Sequence, residues 1–98
     1  MKKIEEIKAK LKEHKEELRE KFKVKEIGVF GSYVRGEQKK RGSDIDILVE
    51  FKEPVSLLKF MDLEEYLSRL LGLKVDLISK KALKPKIGEH ILKEVVYV

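Results

Sequence analysis

The stretch from Gly28 to Phe51, GVFGSYVRGEQKKRGSDIDILVEF, decides how this chain folds. Its first residues complete a β-branched and aromatic run over 24–30, VKEIGVF, which reads as a strand entering a turn at Gly31. Its last residues, 45–51 (IDILVEF), read as a second strand, ended by Pro54. Between them, Gly31-Ser32 opens a helical turn from Tyr33 to Gly36. The second strand starts against its own pattern, because Asp44 and Asp46 interrupt an apolar run. Side chains two apart on a strand share a face. The two carboxylates therefore project together, while Ile45, Ile47 and Val49 point the other way, into a core.

Outward from this stretch, residues 2–22 place Ile4, Ile7, Leu11, Leu18 and Phe22 at spacings of three, four and seven, one apolar stripe on a charged helix. Ser56 is an N-cap for a helix over 57–71, with Gly72 beyond its end. Leu57, Leu58, Met61, Leu63, Leu67, Leu70 and Leu71 predict that this helix is more deeply buried than the first. Residues 73–78, LKVDLI, form a third strand, a short helix follows Pro85 near 86–94, and VVYV ends as an edge strand or a partner-binding tail. Strands separated by helices predict an α/β (α+β) fold, a small mixed sheet flanked by helices. With no repeat and no linker, residues 1–98 read as a single domain.

Composition narrows the functional classes. The chain has no cysteine, which excludes disulfides and thiolate metal sites and fits a reducing, cytoplasmic setting. It has no apolar run of membrane-spanning length, and its first residues lack the apolar stretch of a signal peptide. Charged residues make up 42% of the chain, a Lys- and Glu-rich balance like that of heat-adapted proteins. The net charge of +5 invites a nucleic-acid reading, but most lysines alternate with glutamates along helical faces, the pattern of a solvated, ion-paired surface. Only Lys39, Lys40 and Arg41 stand together. His14 and His90 lie far in sequence from the acidic motif and read as surface residues.

A third acid has the same setting as the first two. Asp76 interrupts KVDLI, and if that strand pairs with 45–51, three carboxylates converge on one patch of the sheet. Adjacent carboxylates raise each other's pKa unless a cation lies between them. An all-oxygen set without His or Cys favours Mg²⁺ or Mn²⁺ over zinc. Asp44 alone is also explained as a strand-entry turn residue, and Asp76 alone as an edge-strand gatekeeper. Asp46 resists such readings, since Val or Thr would serve that strand better. Before the acids, Gly31 lets backbone approach a ligand, and free N–H groups at a helix start favour anions. Ser32 adds a hydroxyl, and Arg35 adds a fork suited to phosphate oxygens. Arg35 serves equally well in an ion pair with Glu37 or as a helix cap, and Ser43 can simply hydrogen-bond the turn. Tyr33 is an acceptor for self-modification or, more simply, a packing residue.

Together, G-S-x-x-R-G followed by S-D-I-D and a later strand aspartate resembles the DNA polymerase β-type nucleotidyltransferase superfamily. The short chain is similar in particular to the minimal nucleotidyltransferase (MNT-type) antitoxins that pair with HEPN toxins. Tyr33 to Ser43 make eleven residues between the Gly-Ser pair and the first aspartate, one more than the usual ten of that family. The resemblance implies a Mg²⁺-dependent enzyme that moves AMP from ATP to a tyrosine hydroxyl of a HEPN ribonuclease and so silences it. By position, Asp44 and Asp46 would hold two metal ions, and Asp76 would complete the site and act as general base. Gly31 and Ser32 would hold the triphosphate, with Arg35 and Ser43 beside it. Two other readings stand beside this one: an antitoxin that works by covering its partner, and a nucleotidyltransferase with a small-molecule or RNA acceptor.

Overall fold

The computed structural model describes residues 3–37 and 44–98. The elements run α1 (Ile4–Glu13), α2 (Lys15–Phe22), β1 (Val24–Phe30), α3 (Ser32–Arg35), β2 (Ile45–Phe51), α4 (Leu57–Leu71), β3 (Val75–Ser79), a 3₁₀ turn (Lys80–Ala82), α5 (Pro85–Glu94) and β4 (Val96–Tyr97). The strands form one mixed sheet in the order β3-β2-β1-β4. β1 is antiparallel to both of its neighbours, while β2 and β3, joined through α4, run parallel.

The expected helix over 2–22 is two helices. His14 leaves the helical region at ψ 15°, and its Nδ1–H donates to the Lys10 carbonyl, 3.0 Å away, which also accepts the His14 amide. The stripe survives the break: Ile7, Leu11 and Leu18 are fully buried. α2 ends on Lys23 with φ 59°, a left-handed cap made without glycine. α4 keeps its expected ends, with Ser56 Oγ accepting the Lys59 amide at 3.1 Å and Gly72 in the left-handed region at φ 66°.

The expected burial of α4 is corrected at its first turns. Leu63, Leu67 and Leu71 are buried, each contributing roughly 1.5–3 kcal/mol. Leu57, Leu58 and Met61 are instead 73%, 73% and 54% exposed. At about 100° per residue, these three lie between about 120° and 160° around the helix from Leu63. Counting leucines overstated the buried face, because only those in step with Leu63 meet the sheet.

The sheet has two differently packed faces. Ile27, Val29, Ile45, Ile47, Val49, Val75 and Leu77 join α1, α2 and α4 in the main core. Phe30, Leu48 and Ile91 form a smaller cluster on the other face, with Ile78, Leu83 and Val95 against it. β3 is an edge strand, and α4 covers two of its outward amides: Ser68 Oγ accepts from Val75 and Glu64 Oε2 from Leu77, both at 3.1 Å. β4 is the other edge, which fits the expectation of a C-terminal edge strand. Its seating depends on Gly28, where a Cβ would lie 2.7 Å from Val95 Cγ2 and 2.9 Å from the Val96 carbonyl oxygen. Among the described residues, no helix is long and apolar enough to cross a membrane.

Candidate active site

Strand pairing brings the acids together. Asp46 is the direct partner of Asp76 across the parallel β2–β3 pair and of Phe30 across β1. Paired residues in a sheet project to the same side, so both carboxylates rise from the smaller-core face. Asp44, immediately before β2, shares that side by the alternation of the strand. Asp46 is half-buried, while Asp44 and Asp76 are exposed. Burial, then Asp76, then Asp44, push the Asp46 carboxyl above its ordinary pKa, against a smaller opposing pull from Arg35. Lys74 Nζ reaches only to 3.9 Å from Asp44, with both side chains largely in solvent. Such a contact offsets little of the repulsion.

The Gly-Ser turn lies against these acids. Gly31 has φ 82°, and a Cβ on it would collide with the Asp46 carboxylate, lying 3.1 Å from its Cγ. Only glycine satisfies both conditions. The Gly31 carbonyl accepts the amides of Val34 and Arg35 at 3.0 and 3.2 Å, and Gly36, at φ 70°, closes the turn. Ser32 is half-buried at its start. Tyr33 packs into the main core at 3% exposure, and burial raises its hydroxyl pKa. That placement fits the packing role read for Tyr33 from the sequence.

Two expectations about the turn also change. The Gly31 amide, expected to be free for an anion, donates to Glu94 Oε2 at 3.1 Å. Arg35 is engaged on two sides, by Glu37 Oε1 at 2.6 Å to its Nε and by Glu94 Oε1 at its Nη1. The Glu37 pairing fits the ion-pair alternative read from the sequence. Glu94 was not anticipated. It lies 63 residues from Gly31 on an amphipathic helix, and no local signal distinguishes it from its charged neighbours. Burial pushes the Glu94 carboxyl up, but Arg35 and the Gly31 amide together hold it below the usual range. Ser43, with Lys39, Lys40, Arg41 and the added loop residue, lies outside the described residues.

The acids suit a divalent cation by donor chemistry and by charge. Among the described residues, no three acidic or imidazole side chains are already drawn to ligating distance. Repulsion favours rotamers that hold carboxylates apart, and the raised pKa of Asp46 records burial first and then repulsion by Asp76 and Asp44, which a cation would relieve. A concavity of about 620 Å³ lies elsewhere, between Phe51, Pro54, Val55, Leu57 and Phe60. None of the three aspartates lines it.

A mixed sheet carrying acids on paired strands beside a Gly-Ser turn defines a protein of the nucleotidyltransferase class. Residues 11–98 match the family described as the nucleotidyltransferase domain, and the chain belongs to it as a member enzyme. It is 63% identical to the protein adenylyltransferase MntA of Thermococcus cleftensis, over 97% of this chain and 95% of that one. A solved structure described as a candidate minimal nucleotidyltransferase superposes with TM-score 0.80 at 35% identity, covering 97% of this chain and 95% of the other. A toxin–antitoxin crystal structure with AMP-PNP superposes with TM-score 0.75 at 26% identity, covering 92% of this chain and 70% of that one.

Proposed function

We propose that this chain is an antitoxin enzyme, a single 98-residue cytoplasmic domain that transfers AMP from ATP to a tyrosine hydroxyl of a HEPN-type ribonuclease toxin. The observation that carries the reading is the register of Asp46 with Asp76, beside Asp44 and against Gly31. Similarity to a protein adenylyltransferase supports the reaction, and similarity to a toxin–antitoxin complex with a nucleotide analogue supports the partner and the substrate.

In this reading the acceptor oxygen attacks the α-phosphorus of ATP. A new P–O bond forms, the bond to the β-phosphate oxygen breaks, and pyrophosphate leaves. Asp76, the more exposed member of the Asp46–Asp76 pair, accepts the hydroxyl proton as general base. Asp44, Asp46 and Asp76 would hold Mg²⁺ or Mn²⁺, which supplies neutralisation of the triphosphate and of charge developing at phosphorus. Ser32 and the Gly31 turn orient the phosphate tail, with Arg35 at their edge. Catalysis of this kind rests on positioning and charge neutralisation.

The test is incubation of the chain with labelled ATP, Mg²⁺ and the protein encoded beside it. Label on a tyrosine of that protein, lost with Asp44→Ala/Asp46→Ala, supports the reading. Full inhibition of the partner by that double variant would favour neutralisation by covering. Label on RNA alone would move the acceptor away from protein.

A further inference from the structure

We propose that Glu94 is a positioning residue of this site, tying the Gly31 turn and the Arg35 guanidinium to α5 so that nucleotide phosphates meet a preset geometry. The inference rests on the nucleotide-binding reading above and adds to it a residue from the far end of the chain.

Glu94 spends its two oxygens on two groups from one turn. Oε2 accepts the Gly31 amide at 3.1 Å, and Oε1 accepts Arg35 Nη1–H. Its side chain is 14% exposed, against 46% for Arg35, so the carboxylate lies beneath the guanidinium. Glu37 takes Nε at 2.6 Å. Two carboxylates on two edges fix the plane of a guanidinium, yet these contacts use only two of its five N–H groups. The remainder can meet a ligand with the fork already oriented, which lowers the ordering cost of binding.

The backbone fixes Glu94 itself. Val96 pairs with Val29, two residues from Gly31, and Val95 sits over Gly28, so the last turn of α5 is anchored beside the Gly-Ser turn. The alternative role is a gate, with the carboxylate displaced by an arriving phosphate. Gly31 is buried and its amide depends on Glu94. Displacement would leave a largely buried carboxylate without partners, a cost that positioning does not incur.

The test uses Glu94→Ala and Glu94→Gln in the full chain, with two measurements. Amide exchange of Gly31, followed by NMR without nucleotide, reads the clamp directly and is expected to accelerate about tenfold or more in the Ala variant. Calorimetry with Mg·ATP is expected to show Kd raised at least about tenfold in Glu94→Ala. Glu94→Gln should fall between, because its amide oxygen still accepts from Gly31 but lacks the charge for Arg35. A merely structural loss would lower the number of competent sites and leave their Kd unchanged. Faster exchange with Kd within twofold of wild type, or a tighter Kd, overturns the positioning role. A wild type that binds no Mg·ATP, while Gly31 protection still depends on Glu94, overturns the nucleotide reading and the proposed role with it.

Discussion

Asp46 faces Asp76 directly across the parallel pair β2–β3, with Asp46 half-buried and Asp76 exposed. Two like charges fixed in register cost stability in the absence of a cation. Burial and the neighbouring aspartates raise the folded-state pKa of Asp46 above its unfolded value. The resulting penalty is full above the folded pKa and disappears as pH falls below the unfolded value. Asp46→Asn should therefore stabilise the metal-free protein at neutral pH, by roughly 2–5 °C in Tm. The gain should shrink on acidification, and stabilisation by Mg²⁺ should be smaller than in wild type. Thermal melts across pH, with and without Mg²⁺, check all three outcomes, and a destabilised variant at neutral pH would refute the electrostatic account.

Gly31 and Gly36 both adopt left-handed backbone, at φ 82° and 70°, yet their surroundings differ. A Cβ at Gly31 meets the Asp46 carboxylate, whereas among the described residues nothing lies within 4 Å of one at Gly36. Gly36→Ala should cost only the backbone strain, about 1–2 kcal/mol. Gly31→Ala should cost more, roughly 2–4 kcal/mol, and should also abolish transfer activity by displacing Asp46. Urea unfolding of the two variants, with activity assayed on the folded fraction, separates backbone strain from site damage.

The parts of this candidate site that were legible carry local signals. A carboxylate inside an apolar strand, as at Asp46, and a glycine at a strand end, as at Gly31, contradict their own neighbourhoods and so stand out. The sharing of one sheet side by Asp46 and Asp76 was legible only conditionally, since register is a tertiary fact. Glu94 was not legible, because an acid on an amphipathic helix looks like any solvated residue until Gly28 and Val96 seat it beside Gly31. His14 ended a helix without Pro or Gly, through a side-chain bond to Lys10 that periodicity does not register.

The two sides of α4 give opposite expectations for one substitution. Leu63 is fully buried in the main core, whereas Leu58 is 73% exposed. Leu63→Ala should destabilise by about 2–5 kcal/mol. Leu58→Ala should change stability by less than about 0.5 kcal/mol. Denaturant midpoints measure both, and comparable losses would show that the orientation of α4 is wrong.

Tyr66 joins α4 to α2 through Phe22, with ring centroids 5.2 Å apart, and burial and the Glu17 hydrogen bond push its hydroxyl up to about 12. A raised folded-state pKa means that this hydroxyl contributes stability below the unfolded value of about 10 and loses it as pH rises toward 12. Wild-type stability should therefore fall more steeply than that of Tyr66→Phe over that alkaline window. The difference between the two urea-midpoint profiles isolates the tyrosine from the many lysines that titrate alongside it.

The charge around the site makes its dependence on metal testable without the partner protein. Among the described residues, Asp44, Asp46, Asp76, Glu37 and Glu94 gather with the cations Arg35 and Lys74, five negative charges against two positive, a formal −3 where a polyanionic triphosphate is proposed to bind. Arg35 offsets little of this, because Glu37 and Glu94 already pair with its charge. Unscreened repulsion of several charges at such range amounts to a few kcal/mol even at high effective dielectric. ATP affinity should therefore fall at least about 100-fold when divalent ions are chelated, since about 1.4 kcal/mol corresponds to tenfold. Mn²⁺ should restore it as well as Mg²⁺ does. Calorimetric titration of ATP in chelator, Mg²⁺ and Mn²⁺ measures this directly. Equal affinity with and without divalent ions would mean that the triphosphate binds away from the aspartates.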